Sequence, residues 1–289
     1  MTTVTADGAA VALDAAVVSA RRRARRRRIL VYAARVLTAV LVLGSWQLFS
    51  KTWHIVDPFF FGWPTGVYTR LRDWVEHGTA YGSLWLQIWT TLKEALLGFV
   101  FGVTGGIIFG IALGQIRFLA DVVGPYIKIM NAIPRIVLGS IFLIWLGIGT
   151  TSKVALAAVL VFFVVFFNSF QGVREVDRNF IANARVLGAS RLAVTRHVVL
   201  PSALTWIIAS LHVAFGFAII GAIVGEFLGA QHGLGLVIST AQGNFDPNGV
   251  FGAMLIIAII ALTAEALISQ LERRLLSWRP SSPAETPFV

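Results

Sequence analysis

The sequence predicts an all-α integral membrane protein with six transmembrane helices. Of its 289 residues, 57% are hydrophobic and only 13% are charged, where a soluble domain would carry about 25% charged residues. The mean hydropathy is +0.79. The apolar residues are gathered into runs, and six of these are long enough, or nearly so, to cross a hydrocarbon core of roughly 30 Å as helices. They lie at about 29–49, 92–114, 127–147, 154–171, 203–228 and 250–269. There are no cysteines, which excludes disulfides, iron–sulfur clusters and thiolate metal sites.

Taken in order, residues 1–20 are small and weakly polar, and with the RRRARRRR run at 21–28 they form an expected disordered basic cytoplasmic tail, 1–28. The formal charge of +10 invites a nucleic-acid partner. Seven of the 24 Lys and Arg residues, however, sit in that one run directly before an apolar segment, a placement that suits an anionic membrane leaflet and argues against nucleic acid. The segment 29–49 has 21 residues and no A-x-A site after it, so it reads as a retained span rather than a signal peptide. A transmembrane domain then covers 29–279, and 280–289 is a C-terminal tail.

The loop 50–91 holds Val67, Leu71, Trp74 and Val75 at helical spacing, predicting a short interfacial helix that ends near Gly78. Trp53, Trp63, Trp74, Trp85 and Trp89 suit an aromatic belt at headgroup level or a ligand-stacking surface. In the second span Gly98, Gly102, Gly106, Gly110 and Gly114 recur every four residues, and Gly221, Gly225 and Gly229 do so in the fifth. Such faces let helix backbones approach closely. They form either a fixed seam or one that shifts during a transport cycle.

The basic residues set the orientation. One set of loops holds 16 of them and the other set only Lys51, Arg70, Arg72 and Lys153, so both termini and the 172–202 loop are expected in the cytoplasm. That loop contains VREVDRNFIANARVLGASRLAVTRHVVLP, residues 173–201. At 100° per residue, Val173, Val176, Phe180, Ala184 and Leu187 cluster on one face and Arg174, Arg178 and Arg185 on the other, with Ile181 misplaced. Gly188 is placed to end this helix, Ser190 to cap a second one, and Pro201 to follow it. The expectation is two short helices hinged at Gly188-Ala189-Ser190.

Polar groups inside apolar spans cost energy and normally face a partner or a water-filled path. Asn131 and Arg135 beside Pro134, then Asn168, His212 and Glu226, are therefore the candidate pathway residues. Snorkelling or an interhelical hydrogen bond serves Arg135 and His212 equally well, and Glu226 suits gating or pairing. Pro134 is expected to kink its helix. No catalytic set emerges. The five histidines, His54, His77, His197, His212 and His232, never fall at metal-binding spacing. No G-x-x-x-x-G-K-[ST] phosphate loop is present, so energy for uphill transport would enter from another subunit or an ion gradient. A secondary transporter or channel stays open on these grounds.

Ala182-Asn183-Ala184, Gly188 and Val198-Val199-Leu200-Pro201 resemble the E-A-A-x3-G-x9-I-x-L-P signature of binding-protein-dependent ABC importer permeases. Ala184, Gly188, Leu200 and Pro201 fall on the pattern, and Val198 replaces its Ile. Ala182 stands at the Glu position, which removes any glutamate contact with an ATPase. The resemblance runs from about residue 60 to 279, through NAIPRIVLGSIFLIWLGIGTTSK at 131–153, GEFLGAQHGLGLVI at 225–238 and LERRLLSW at 271–278. These segments are similar to the nitrate, sulfonate and taurine branch, of which related members handle pyrimidine precursors. The resemblance implies a type I importer permease in a prokaryotic inner membrane, with a second copy of itself, a cytoplasmic ATPase dimer that holds ATP and Mg, and an extracytoplasmic solute-binding protein. It further implies that Phe180, Ala184, Arg185, Leu187, Gly188, Ala189, Ser190 and Pro201 engage the ATPase.

Overall fold

A computed structural model describes residues 3–275, which form two units, one ending at Pro64 and one beginning at Thr65. The C-terminal tail expected at 280–289 lies outside the described residues. All named elements are helical, with one isolated bridge between Thr79 and Gly82. In the first unit, helix α1 runs Thr3–Gln47 and continues through a wide π turn, Leu48–Thr52. It takes in residues that the sequence assigns to a disordered tail, because Ala and Arg are both strong helix formers. The four-residue α2, Pro58–Phe61, is capped by Asp57, whose carboxylate accepts from the Phe59 N–H at 2.9 Å. The Ser50 hydroxyl donates to the Gly62 carbonyl, and the Trp46 indole to the Phe61 carbonyl at 3.3 Å.

The boundary falls after the first residue of α3, Pro64–Glu76, which covers the helix expected before Gly78, a glycine at φ +83°. Then follow α4 (Leu84–Gln115), α5 (Arg117–Ala132), α6 (Leu138–Leu146), α7 (Thr150–Arg174), α8 (Arg178–Val186), α9 (Arg191–Val194), α10 (Leu200–Leu228), α11 (Leu234–Gly243) and α12 (Pro247–Leu275). Five helices among the described residues are long and apolar enough to cross a membrane: those containing α1, α4, α7, α10 and α12.

The sixth expected crossing, 127–147, is not one helix. At 1.5 Å per residue, α5 spans about 24 Å and α6 about 14 Å, and they are parted by Ile133 and Pro134, both in extended backbone, and a 3₁₀ turn at Arg135–Val137. A proline disfavours the α region for its predecessor and removes a donor from the helix. Since Ile133 sits at φ −73°, ψ 129°, the expected kink is a full break.

α7 is the centre of the bundle, with α4 and α10 packed on it through glycines. A Cβ added at Gly102 would lie 2.6 Å from the Ala158 carbonyl oxygen, and one at Gly110 2.8 Å from that of Phe166. On α10, a Cβ at Gly221 would meet the Ala157 backbone at 2.5 Å, and one at Gly225 the Lys153 Cα at 3.1 Å. The α4 repeat and Gly221 and Gly225 of α10 are therefore contact surfaces for α7, with no room for a side chain between the backbones, whereas Gly229 meets Leu143 of α6 and Ile148. Around this seam Ala95, Val161, Val165, Ala214, Phe215, Ala218, Ile219 and Ala222 form the main core, with α12 residues Ile257, Ile260 and Ala264 against it.

Candidate functional site

Between α7 and α10 the chain makes the helix–turn–helix expected from its residues, with one change of phase. α7 runs to Arg174, and Asp177 then caps a new helix by accepting from the Asn179 N–H at 2.8 Å. Residues 173–187 are thus two helices, and the single apolar stripe drawn through them divides. Val173 and Val176 are buried with Val194, Val199, Ala203 and Ile207, and Ile181, Ala184 and Ala189 pack against them. Ile181, out of place on a single helical wheel, points inward.

The turn after α8 is a Schellman motif. The Ala189 N–H donates to the Ala184 carbonyl at 3.0 Å and the Gly188 N–H to that of Arg185 at 2.9 Å. Gly188 holds φ +84°, and a Cβ added there would meet nothing within 4 Å, so conformation alone, rather than space, demands glycine at this position. Ser190 caps α9 through the Ala193 N–H at 3.2 Å. Pro201 does not end this second helix. It lies in the first turn of α10, directly after a π turn at Thr195–Val199. The wider turn lets the chain pass a residue with no N–H, so α9 and α10 run as one rod, Arg191–Leu228.

Phe180 and Leu187 of the stripe face outward, with Val186 and Leu192 near them in sequence. Phe180 is 62% exposed, Val186 86%, Leu187 87% and Leu192 77%. Four large apolar side chains thus project from a segment that also carries the exposed Arg185 and Arg191, a grouping that suits a contact surface.

A second polar site lies where α10 turns into α11. Glu226 is fully buried. One of its carboxyl oxygens accepts from the Thr91 hydroxyl at 2.6 Å and the other from the Gly235 N–H at 2.6 Å. Thr91 in turn accepts from the Leu234 N–H at 2.8 Å, and the Gln87 amide oxygen from the Gly233 N–H at 2.7 Å. The open N–H groups at the start of α11 are therefore satisfied by side chains of α4 and α10, a cap assembled across 143 residues or so of chain. Glu94, 2% exposed, and Lys153, 1% exposed, lie beside Glu226. The Lys153 ammonium also donates to the Ile148 and Gly149 carbonyls, the latter at 3.1 Å, closing the turn before α7.

The sequence agrees with this geometry. Residues 102–277, more than half of the chain, match the family model described as "Binding-protein-dependent transport system inner membrane component". The chain belongs to this family. The permease is 35% identical over 245 residues to the riboflavin transport system permease protein RibX of Chloroflexus aurantiacus, covering 85% of this chain and 90% of that one. It is 28% identical over 246 residues to the putative aliphatic sulfonates transport permease protein SsuC of Bacillus subtilis, covering 85% and 87%. A solved structure of the MetNI methionine ABC transporter in an inward-facing conformation superimposes with a TM-score of 0.59 at 19% identity, over 66% of this chain and 97% of that one. That likeness concerns the fold. The permease is a multi-pass membrane subunit of an importer for small solutes.

The expected pathway residues of the permease do not converge. Asn131 falls in the last turns of α5. Arg135 opens the 3₁₀ turn, its guanidinium 4.5 Å from the centre of the Phe163 ring. The Asn168 amide donates to the Val164 carbonyl of its own helix at 2.8 Å. His212 is held between two α12 carboxylates, Nδ1 to Glu265 at 2.7 Å and Nε2 to Glu272 at 2.9 Å. It is an interhelical pair, with both ring nitrogens engaged. Sequence reasoning does not find Gln87, Thr91, Glu94 and Lys153 as members of the Glu226 cluster. Glu94 carries a signal, since it lies four residues before Gly98 on the glycine face. Lys153 reads from sequence as an outer-loop charge, although it sits buried in the first turn of α7.

Proposed function

We propose that the permease forms the translocation path of an ATP-driven importer as a homodimer, and that its 173–201 helix pair docks on a separate ATPase dimer, which holds the ATP and Mg. The observation that carries this reading is the exposed apolar group of Phe180, Val186, Leu187 and Leu192 on a segment braced by a capped turn at each joint. The charge distribution supports an inner-membrane orientation with both termini and this segment in the cytoplasm, the broken α5–α6 pair making the sixth crossing. Since α9 continues into α10 as one rod, a push on the helix pair moves a spanning helix, and closure of the ATPase dimer would tilt it as a rigid body. An extracytoplasmic binding protein would deliver the solute on the opposite side. No catalytic residue is assigned to this chain.

For the solute we propose a small organic or inorganic anion, such as a sulfonate, taurine or nitrate, in keeping with SsuC and with Arg135 near the break in the α5–α6 segment. A second reading, a pyrimidine-type or other vitamin precursor, is favoured by two observations. His212 is already neutralised by Glu265 and Glu272, which leaves one cation fewer for an anion, and RibX is the more identical of the two relatives described. Uptake of radiolabelled taurine and of riboflavin by cells that carry the whole importer separates the readings. Uptake of neither would refute taurine and riboflavin as the solutes.

Docking is tested by co-purifying the tagged permease with its ATPase. Losing a fully buried Leu contact costs about 2 kcal/mol, or roughly 30-fold in affinity. Leu187→Ala is therefore expected to reduce ATPase recovery, and Gly188→Val, which forces a β-branched residue to positive φ, to abolish it. Normal recovery and normal solute-stimulated hydrolysis with both variants would refute the docking role.

A further inference from the structure

A cavity of about 740 Å³ opens behind the helix pair, between it and the ends of α4 and α7. Its floor is apolar, built from Val173, Val176, Val194 and Val199. Its rim carries three guanidinium groups, Arg174, Arg185 and Arg191, supplied by α7, α8 and α9. Among the described residues none of these arginines has an ion-pair partner. Arg174 only overlies the Phe170 ring at 5.4 Å. The acidic groups nearby in sequence are committed elsewhere: Glu175 accepts from the Gln171 amide at 2.7 Å and Asp177 caps α8. Three positive charges therefore converge on one concave surface with no anion to meet them, in a volume within the ligand-sized range.

The position in the fold narrows the occupant. The apolar helix α4 ends at Gln115, α7 at Arg174, and the α9–α10 rod starts at Arg191. All three bring the cavity to the level where membrane-crossing helices meet water. Gln115 and Thr195 hold two of its walls together, the Thr195 hydroxyl donating to the Gln115 side-chain oxygen at 3.1 Å. A ligand at that level meets arginines at the rim and valines beneath, which fits a phosphate head with glycerol and the first methylenes of an acyl chain.

We propose that this cavity is a binding site for the headgroup of an anionic phospholipid, one per chain, wedged between the helix pair and the ends of α4 and α7. The lipid neutralises the three arginines and stiffens the joint behind the exposed Phe180 and Leu187 surface. The site is independent of the solute and of the direction of transport.

Native mass spectrometry of the full-length permease in mixed micelles tests it, with phosphatidylglycerol and phosphatidylcholine as probes and sodium phosphate as the soluble competitor. The Arg21–Arg28 run stays intact throughout, so its own lipid contacts cancel. Each Arg near a membrane surface strengthens anionic-lipid binding about fivefold, so the Arg174→Gln, Arg185→Gln, Arg191→Gln triple variant is expected to lose one retained phosphatidylglycerol per chain, its affinity falling about 100-fold. Phosphatidylcholine retention stays unchanged. Ala182→Trp, which fills the cavity from an exposed position and keeps all three arginines, is expected to lose the same lipid while eluting as wild type on gel filtration. Equal phosphatidylglycerol retention in wild type and a correctly folded Ala182→Trp protein would overturn the proposal. So would displacement by millimolar phosphate, which assigns the site to a free anion, or stoichiometric displacement by the ATPase, which assigns it to a protein contact.

Discussion

Replacing Glu226 with alanine tests whether α11 is held by its distant cap. The substitution removes acceptors for two short hydrogen bonds, from Thr91 and from Gly235. Thr91 has a fallback, because its hydroxyl also reaches the Gln87 carbonyl at 3.2 Å. The Gly235 N–H has none, and an unsatisfied buried donor costs about 1–3 kcal/mol. The space left by the side chain adds about 1–2 kcal/mol. A loss of about 3–4 kcal/mol follows, equivalent to a fall in Tm of about 10 °C for a unit of this size. Hydrogen exchange over residues 233–243 is the more specific assay: first-turn amides of α11 are expected to exchange about 100-fold faster, while the α4–α7 seam keeps its protection. Glu226→Gln keeps the shape and one acceptor, so it is expected to lose about half as much. Wild-type protection of the α11 amides in Glu226→Ala would refute the capping argument.

Further predictions concern the seam, the lysine and the histidine. Gly102→Val drives a side chain into the Ala158 carbonyl and Val161 and is expected to cost at least about 3 kcal/mol, read as a lower Tm in detergent. Lys153→Met removes the ammonium that donates to the Ile148 and Gly149 carbonyls and leaves those acceptors without it, a loss of about 1–3 kcal/mol; unchanged thermal stability would contradict its role in closing the turn before α7. His212→Ala leaves Glu265 and Glu272 facing each other's charge across a half-exposed site and is expected to cost about 1–2 kcal/mol, less than Gly102→Val.

Much of this architecture is legible because it depends on local chemistry. The four-residue glycine repeats announce close backbone contact, and the contact with α7 is there in both α4 and α10. Gly188 and Ser190 signal a turn whose hydrogen bonds lie within six residues, so the sequence alone places it. Phase is harder: α7 ends at Arg174 and Asp177 starts a new helix, and the break between them moves Ile181 inward and Phe180 outward. The break at Ile133-Pro134 carries a clear residue signal, but whether a proline kinks or parts a helix depends on what packs around it. α11 leaves almost no local trace. It has ten residues and a glycine before its first turn, and its cap comes from Gln87, Thr91 and Glu226, side chains far off in sequence. Lys153 misleads for the opposite reason, since a lysine at a span end reads as solvated until the fold buries it.

On the proposed mechanism, the outward apolar surface of the 173–201 segment receives a partner that moves α10. Site-specific crosslinking of a cysteine at Leu187, in a chain that has no other cysteine, to the co-expressed ATPase tests it most directly. A permease–ATPase adduct is expected at Leu187 and not at the exposed Tyr68 of α3, with its yield changing when ATP is added. Equal adduct formation at both positions, or none at Leu187 in an importer active for uptake, would contradict the mechanism.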